Sequence, residues 1–537
     1  MKLDTFTSHI IFPIFHNTIS WVIFLGFVCW PVSWLSGQVI FSDGFETGGS
    51  GWTVENQQVF AIGTPAPGIG PGGGYNGSPN CAGTNLNGNY PVYSNSRLIS
   101  PVIQLPSISA TELLQIGFWH WWDFDDYSAT GDVGTVQISV NNGAWQNLST
   151  VEFDNDSKVW TQFIADLTAY PGSSVRIGFY FVSDYDNNPP YVGAGWYIDE
   201  VRIEKKEAGY DLSTEPESFE TGIGDWYADN GIWQVGTPRN VGPAGVHAGS
   251  QCAGTVIDGN YPGFGNSRLI SPNVALPSIS ANERLLLRFW QWMSSENAVD
   301  YGKVQLKVAG TNTWQALSAA NIDGASGGWT QFVADLTAYA DSSIQIGFYF
   351  VSDSDNNVGA GWYIDEVRIE KKEAVYDLSA IPEGFEIGIA DWHADNGIWQ
   401  VGIPQNVGPQ SAHAGSQCAG TIIGGNYPVY SNSRLISPEI QLPSLGGTEI
   451  LQLGFWHWWD FDDWSGTGDV GTVQISINNG AWQNLSTVEY DNDSKAWTQY
   501  IADLTAYADS SIRIGFILYQ TMTITHLMLA QVGMSMM

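Results

Sequence analysis

Positive charge is what this 537-residue chain has least of. Only 19 Lys and Arg stand against 54 Asp and Glu, a formal net charge of −35. Phosphate binding needs clustered Lys and Arg, so the balance argues against nucleic acid as a partner. It suits an exported protein and leaves carboxylates available for a hard cation. Cysteine is nearly absent, with four in all. Outside the N-terminal stretch they are Cys81, Cys252 and Cys418, each in the pattern CAGT. One per repeat argues against a disulfide within a repeat and for a small buried hydrophobe. Long amphipathic helical patterns are missing, whereas 61 Gly, 24 Pro and 25 Trp are present. That composition predicts an all-β fold. No H-E-x-x-H zinc motif occurs, and no Ser/His/Asp or Cys/His arrangement recurs in every copy of the repeat described next.

No residue between Asp4 and Asp43 is charged, and residues 19–35 form an apolar run. Residues 1–37 therefore read as a secretory signal, with Ser36-Gly37 before a cleavage point, or as an uncleaved N-terminal anchor. Export to the extracellular space or the cell surface follows from either. Cys29 would suit a lipoprotein, but Val28 is a poor residue before it.

The rest is one unit written three times. GAGWYIDEVRIEKKE at 193–207 returns at 359–373. In it Trp196, Ile198, Val201 and Ile203 alternate with polar residues, a strand pattern with a bulge at Asp199-Glu200. The repeats span 38–207, 208–373 and 374–516, each long enough to bury its own core. Each opens on Phe-Glu followed by a Trp, passes through a Gly/Pro-rich loop to CAGT, and continues through NSRLISP to an aromatic strand. That strand reads GFWHWWDFDD, RFWQWMSSEN or GFWHWWDFDD. Ten to twelve short strands per repeat predict three tandem antiparallel jelly-roll β-sandwiches. The third departs after Phe516: residues 517–537 are Met-rich and unlike anything upstream. A one-base deletion read back across those codons restores an ending close to GWYIDEV. The tail is therefore expected to be a frameshift product that leaves repeat 3 truncated, without its closing strand, in a gene that continues past residue 537.

FE-x-G…W, CAGT…GNYP, F-W-x-W, V-x-S-x-NG-x-W and GWYIDEV together resemble bacterial MAM-like and choice-of-anchor-J jelly-roll modules. They are also similar to the C-terminal β-sandwich of immune-inhibitor-A-like secreted metalloproteases, whose catalytic domain is absent here. The resemblance implies non-catalytic extracellular modules for adhesion or attachment to a glycan or protein surface. An accessory region of a secreted hydrolase or protease and a structural spacer are the alternatives. It also implies a structural calcium in some members.

Three sets of residues carry candidate chemistry. Trp119 with Trp121, Trp290 with Trp292 and Trp456 with Trp458 share strand faces roughly 7 Å apart, a spacing for stacking on neighbouring sugar rings. Packing beneath a crossing loop is the bland alternative. Glu46 with Asp199, and Glu220 with Asp365, sit on first and last strands and could share Ca²⁺, with Asp132 and Asp300 as further ligands. Capping of backbone N–H groups is the alternative there. Asp123, Asp125 and Asp126 could form a glycosidase pair, but repeat 2 reads MSSEN at that place. His120 and His457 align with Gln291, which marks a core hydrogen-bonding position rather than a base.

Overall fold

The computed structural model describes residues 37–536 except 110, 125–131, 149–151, 155, 158, 186–192, 208, 312, 319–320, 356, 374–375, 377, 379–381, 462–468 and 520–525. For 526–536 it describes the backbone. Residues 1–36, with the expected signal or anchor and Cys29, lie outside it. The described chain is all-β, and no helix in it is long and apolar enough to cross a membrane.

Each repeat contributes two antiparallel sheets of five or six strands. In repeat 1 one sheet runs Thr161–Asp166, Glu112–Asp123, Gly195–Glu207, Cys81–Thr84, Phe60–Gly63, with Gln38–Asp43 also paired to Gly195–Glu207. The facing sheet runs Thr53–Asn56, Asn95–Ile99, Ser174–Val182, Val133–Val140, Trp145–Asn147. Repeats 2 and 3 keep both orders. The result is a jelly-roll-type β-sandwich whose two inner faces meet in one apolar core.

The closing strand Gly195–Glu207 shows how sequence sets this packing. Trp196 and Ile198 are even-numbered, Val201 and Ile203 odd-numbered, yet all four are buried. A strict two-residue alternation would send one pair to solvent. The chain inserts one extra residue instead. Pairing with the aromatic strand shifts register between Asp199 and Arg202, and Glu200 takes a positive φ of 50°. Glu366 does the same in repeat 2, also at 50°.

Repeat 3 differs from expectation. The backbone of His526–Met536 lies where the closing strand belongs. It pairs with Leu451–Asp460 along its length, from Leu451↔Met536 to Asp460↔His526, and with Cys418–Thr421 on its other side. Sheet hydrogen bonds use backbone groups alone, so a foreign strand-forming sequence can satisfy them. The sheet edge expected to stand open is closed.

Consecutive repeats meet through one face, used twice. The edge strand of one repeat, Thr161–Asp166 or Thr330–Asp335, lies against the short opening strand of the next, Tyr227–Ala228 or His393–Ala394. Gly231 and Gly397 mark the approach. A Cβ on Gly231 would press on the Trp122 ring at 3.0 Å, and one on Gly397 would overlap Thr330 Oγ1 at 2.0 Å. Lys206 pairs with Asp225 at 2.5 Å, and Lys372 pairs with Asp391 in the equivalent place.

Candidate functional site

Strand geometry sends Phe118, His120 and Trp122 inward and Trp119 and Trp121 outward. The Gly/Pro-rich loop crosses that outer face. Tyr75 stacks on Trp119 with ring centroids 3.7 Å apart and planes 10° from parallel. His247 stacks on Trp290 at 3.9 Å, and His413 on Trp456 at 4.0 Å. The second indole of each pair goes deeper. Trp121 packs edge-on to Tyr197 at 5.5 Å, beside Cys81 and Leu86, and Trp292 edge-on to Tyr363 at 5.5 Å. Trp121 and Trp458 are buried, whereas Trp119, Trp290, Trp292 and Trp456 are half-buried. The pairs are thus not a bare platform. They form a second apolar layer under the loop, and the buried Cys81, Cys252 and Cys418 belong to it.

The carboxylates hold that loop down. Asp199 is fully buried and accepts from Tyr75 N–H at 2.8 Å, Ser78 O–H at 2.9 Å and Glu200 N–H at 2.7 Å. Glu46 accepts from the N–H and side-chain amide of Asn80 at 3.0 and 3.2 Å. Asp365 accepts from the N–H groups of His247, Ala248 and Glu366, and Glu220 from those of Ser250 and Gln251. Glu386 holds Ser416 and Gln417 alike. Carboxylates near the first and last strands thus hold down one loop. The groups facing the oxygens are N–H and O–H donors that already take them up, so these pairs do not fit a shared Ca²⁺.

Asp132 and Asp300 lie elsewhere. Asp132 accepts from Asp184 N–H at 2.8 Å. Asp300 accepts from Tyr261 O–H at 2.6 Å and Asp353 N–H at 2.9 Å, and Asp469 from Tyr427 O–H at 2.8 Å. Among the described residues, Glu296, Asp300 and Asp353 bring carboxylate oxygens within 4.8 Å of one another. Glu296 Oε2 is enclosed there without a hydrogen-bond partner.

Desolvation raises the carboxyls of Asp199 and Asp365 to about 6, against the lowering effect of their hydrogen bonds. A raised acid favours the fold when protonated. That contribution is complete below the unfolded value near 4 and fades as pH rises through 6. The melting temperature should therefore be higher at pH 5.5 than at pH 7.5. Asp199→Asn with Asp365→Asn should flatten that slope. A slope unchanged by the pair would remove these groups as its source.

His120 is buried and accepts from Trp196 Nε1 at 3.3 Å; burial holds it down at about 3. Gln291 Oε1 takes the same place for Trp362 Nε1 at 3.0 Å. His457 is likewise held down, at about 4. Neutral imidazoles sealed in a core are acceptors, not general bases. Asp123 accepts from Ala194 N–H at 3.0 Å. Asp125 and Asp126 lie outside the described residues.

What the sequence reading missed is a third indole. Trp160 meets Tyr75 edge-on at 6.3 Å. Its counterparts Trp329 and Trp497 donate to the loop carbonyls of Gly245 and Ser411 at 2.9 and 3.0 Å. The recurrence of Trp-Thr-Gln in every repeat was the available signal. With Tyr75, Trp119, Trp121 and Trp233, it lines a cleft of about 740 Å³ at the junction of repeats 1 and 2. A second cavity of about 710 Å³ flanks the other side of Trp119, reaching Gly117, Gln162, Glu200 and Arg202. The next junction is filled where this one is open. Repeat 2 carries Arg288 in place of Gly117, and its guanidinium plugs the space, 2% exposed, bonded to Asp391 at 2.6 Å and to the Ala390 carbonyl at 3.1 Å.

Fold and site define a chain of tandem β-sandwich repeats with an aromatic cleft between the first two. No family model matches it. Bacillopeptidase F of Bacillus subtilis (strain 168) is 33% identical over 174 residues, 31% of this chain and 12% of that one, so the chain spans only a small part of that relative. Solved structures that resemble it include the CBM22-1–CBM22-2 tandem domain of Paenibacillus barcinonensis Xyn10C, at 15% identity and a TM-score of 0.22, covering 62% of this chain and 97% of that one. The K3 cleaved adhesin domain of Lys-gingipain from Porphyromonas gingivalis w83 is 22% identical with a TM-score of 0.20, covering 29% and 95%.

Proposed function

We propose that this protein is an exported, non-catalytic array of MAM-like binding modules. Its cleft between repeats 1 and 2 takes a glycan chain, attaching the protein to an extracellular surface. The observation that carries this is the half-buried stack of Tyr75, Trp119 and Trp160 opening into the cleft. Aromatic walls with a few polar groups, here Gln162, Asn76 and Gln234, suit the apolar faces and hydroxyls of sugar rings. A second reading, an accessory region of a secreted hydrolase, is supported by the likeness to a stretch of Bacillopeptidase F.

Retardation of the full chain in gels cast with a panel of soluble polysaccharides tests the glycan reading. At least one should retard it. Trp160→Ala should weaken that retardation at least tenfold, about 1.4 kcal/mol or more. Gly117→Arg should also weaken it, by filling the adjoining cavity as Arg288 does; a Cβ there meets only ordinary contacts at 3.7 Å. Unretarded migration through every gel would remove the reading.

Structural calcium belongs to the proposal only at Glu296, Asp300 and Asp353, where, unlike at Glu46 and Asp199, one enclosed oxygen, Glu296 Oε2, faces no donor and two further carboxylates lie within 4.8 Å. A ligand bound to the native state alone raises its stability. Millimolar Ca²⁺ should therefore raise the melting temperature of the chelator-treated protein, and Asp300→Asn should abolish the rise. Superimposable melting curves would exclude it.

A further inference from the structure

The face that repeats 1 and 2 each cover with the next repeat is bare on repeat 3. Thr161, Phe163 and Ile164 are 0, 4 and 9% exposed, and Thr330, Gln331 and Phe332 are 1, 5 and 4% exposed. In the equivalent strand of repeat 3, Thr498, Gln499, Ile501 and Asp503 are exposed, Ile501 at 55%, while Tyr500 and Ala502 pack against the repeat's own core. The residues are of the same kind: TQFIAD, TQFVAD and TQYIAD. Thr498–Asp503 is also an edge strand, bonded on one side only to Leu451–Asp460. An edge strand bearing apolar groups is a pairing surface unless something covers it.

The other end of the array is built differently. Repeats 2 and 3 present DWYADNGIWQ and DWHADNGIWQ to the preceding repeat. Their Ala228 and Gly231, and Ala394 and Gly397, are buried, while Ile232-Trp233 and Ile398-Trp399 belong to their own cores as Val59 and Phe60 do in repeat 1. Repeat 1 reads GWTVENQQVF at that place, with Thr53, Glu55, Asn56, Gln57 and Gln58 all exposed. The glycine that permits close approach, Gly231 or Gly397, has become Gln57-Gln58. A polar outer face is what a terminal repeat carries to stop further stacking. So the first repeat is capped and the third is not. A second copy of this chain does not offer that face a matching head, because among the described residues the heads of repeats 2 and 3 are covered and that of repeat 1 is polar.

We propose that the Thr498–Asp503 face of repeat 3 docks a partner module of this same repeat type, one that presents an Asp-Trp-(Tyr/His)-Ala-Asp-Asn-Gly-Ile-Trp head. Its docking mode is the one seen at both internal junctions. The short head strand covers the edge strand, glycine fits close against the repeat, and the head's Asp lies toward the end of the closing strand. This inference does not depend on glycan binding.

Hydrogen exchange on two forms of the full chain tests it. One is the chain as it stands. The other has a second copy of residues 208–373 in place of Met537. In the extended chain the amides of Thr498–Asp503 should exchange at least tenfold more slowly, approaching those of Thr330–Asp335. Ile501→Arg should reverse that protection. Unchanged exchange at Thr498–Asp503, while the appended repeat protects its own core amides, would overturn the proposal. Should the appended repeat fail to protect its core, replacing residues 53–62 of repeat 1 by 227–235 in the full chain puts the same head on a different chain. Sedimentation should then show head-to-tail assembly that Ile501→Arg abolishes, and a folded monomer would overturn the proposal. Self-association of the unaltered chain that Ile501→Arg abolishes would make a second copy the occupant and would also overturn it.

Discussion

Replacing Trp362 by Ala should destabilise repeat 2 by about 3–5 kcal/mol. The indole is fully buried between the two sheets. It meets Phe348 edge-on at 5.7 Å and Trp233 at 6.0 Å, and its Nε1 donates to Gln291 at 3.0 Å. Gly302 lies under the ring so closely that a Cβ would fall 2.6 Å from it. Truncation leaves a cavity that this rigid shell cannot close and an amide acceptor without its donor. Chemical denaturation of the full chain should show one transition moved to lower denaturant. A shift below about 1 kcal/mol would mean that the core repacks around the gap.

Arg288→Ala should cost about 2–5 kcal/mol at the junction of repeats 2 and 3, because it empties the space that a buried long side chain fills and takes one cation from the half-buried Glu370 and Asp391. Arg288 Nε lies 2.8 Å from Glu370, and Nη2 bonds Asp391 at 2.6 Å. Arg284 adds a second ion pair across the same junction, to Glu439 at 2.5 Å. Burial and the neighbouring guanidinium groups hold the adjacent His393 neutral, at about 3. Loss of Arg288 should uncouple the melting of repeat 3 from that of repeat 2. Arg288→Met, which keeps the volume without the charge, should be less damaging to packing and should still leave Asp391 with Lys372 alone. An Arg288→Ala chain that melts as the parent does would show that the junction is held by its apolar contacts.

Much of the sandwich was legible because strands write their faces in the sequence. The parity switch between Ile198 and Val201 announced the bulge, and His120 exchanging with Gln291 announced a hydrogen-bond acceptor in the core. The Trp pairs were half legible. Period-two geometry gives the face an indole points to but not what lies above it. The Gly/Pro-rich loop that supplies Tyr75, His247 and His413 has no period to read. For the same reason Glu46 and Asp199 could be placed near one another, while the N–H groups that engage them could not be foreseen. Glu296, Asp300 and Asp353 come together from separate loops, which spacing alone does not show. The junctions were hidden because a covered outer face looks like a core face only when its neighbour is known. Even so, Phe163-Ile164 set side by side in an alternating strand marks both faces as apolar. The tail misled in another way: its residues differ from those of the other two closing strands, but backbone pairing does not ask for particular side chains.

Equivalent residues in different repeats give the sharpest test of where binding occurs. Trp160 and Trp497 occupy the same place in repeats 1 and 3, each edge-on to the residue stacked on the sheet, and Trp160 lines the cleft between repeats 1 and 2. The measurement is calorimetric titration of Trp160→Ala and Trp497→Ala full chains with an oligosaccharide of whichever polysaccharide the parent binds. The cleft between repeats 1 and 2 predicts that Trp160→Ala loses at least tenfold in affinity while Trp497→Ala binds as the parent does. Equal losses from the two, or none from Trp160→Ala, would contradict it.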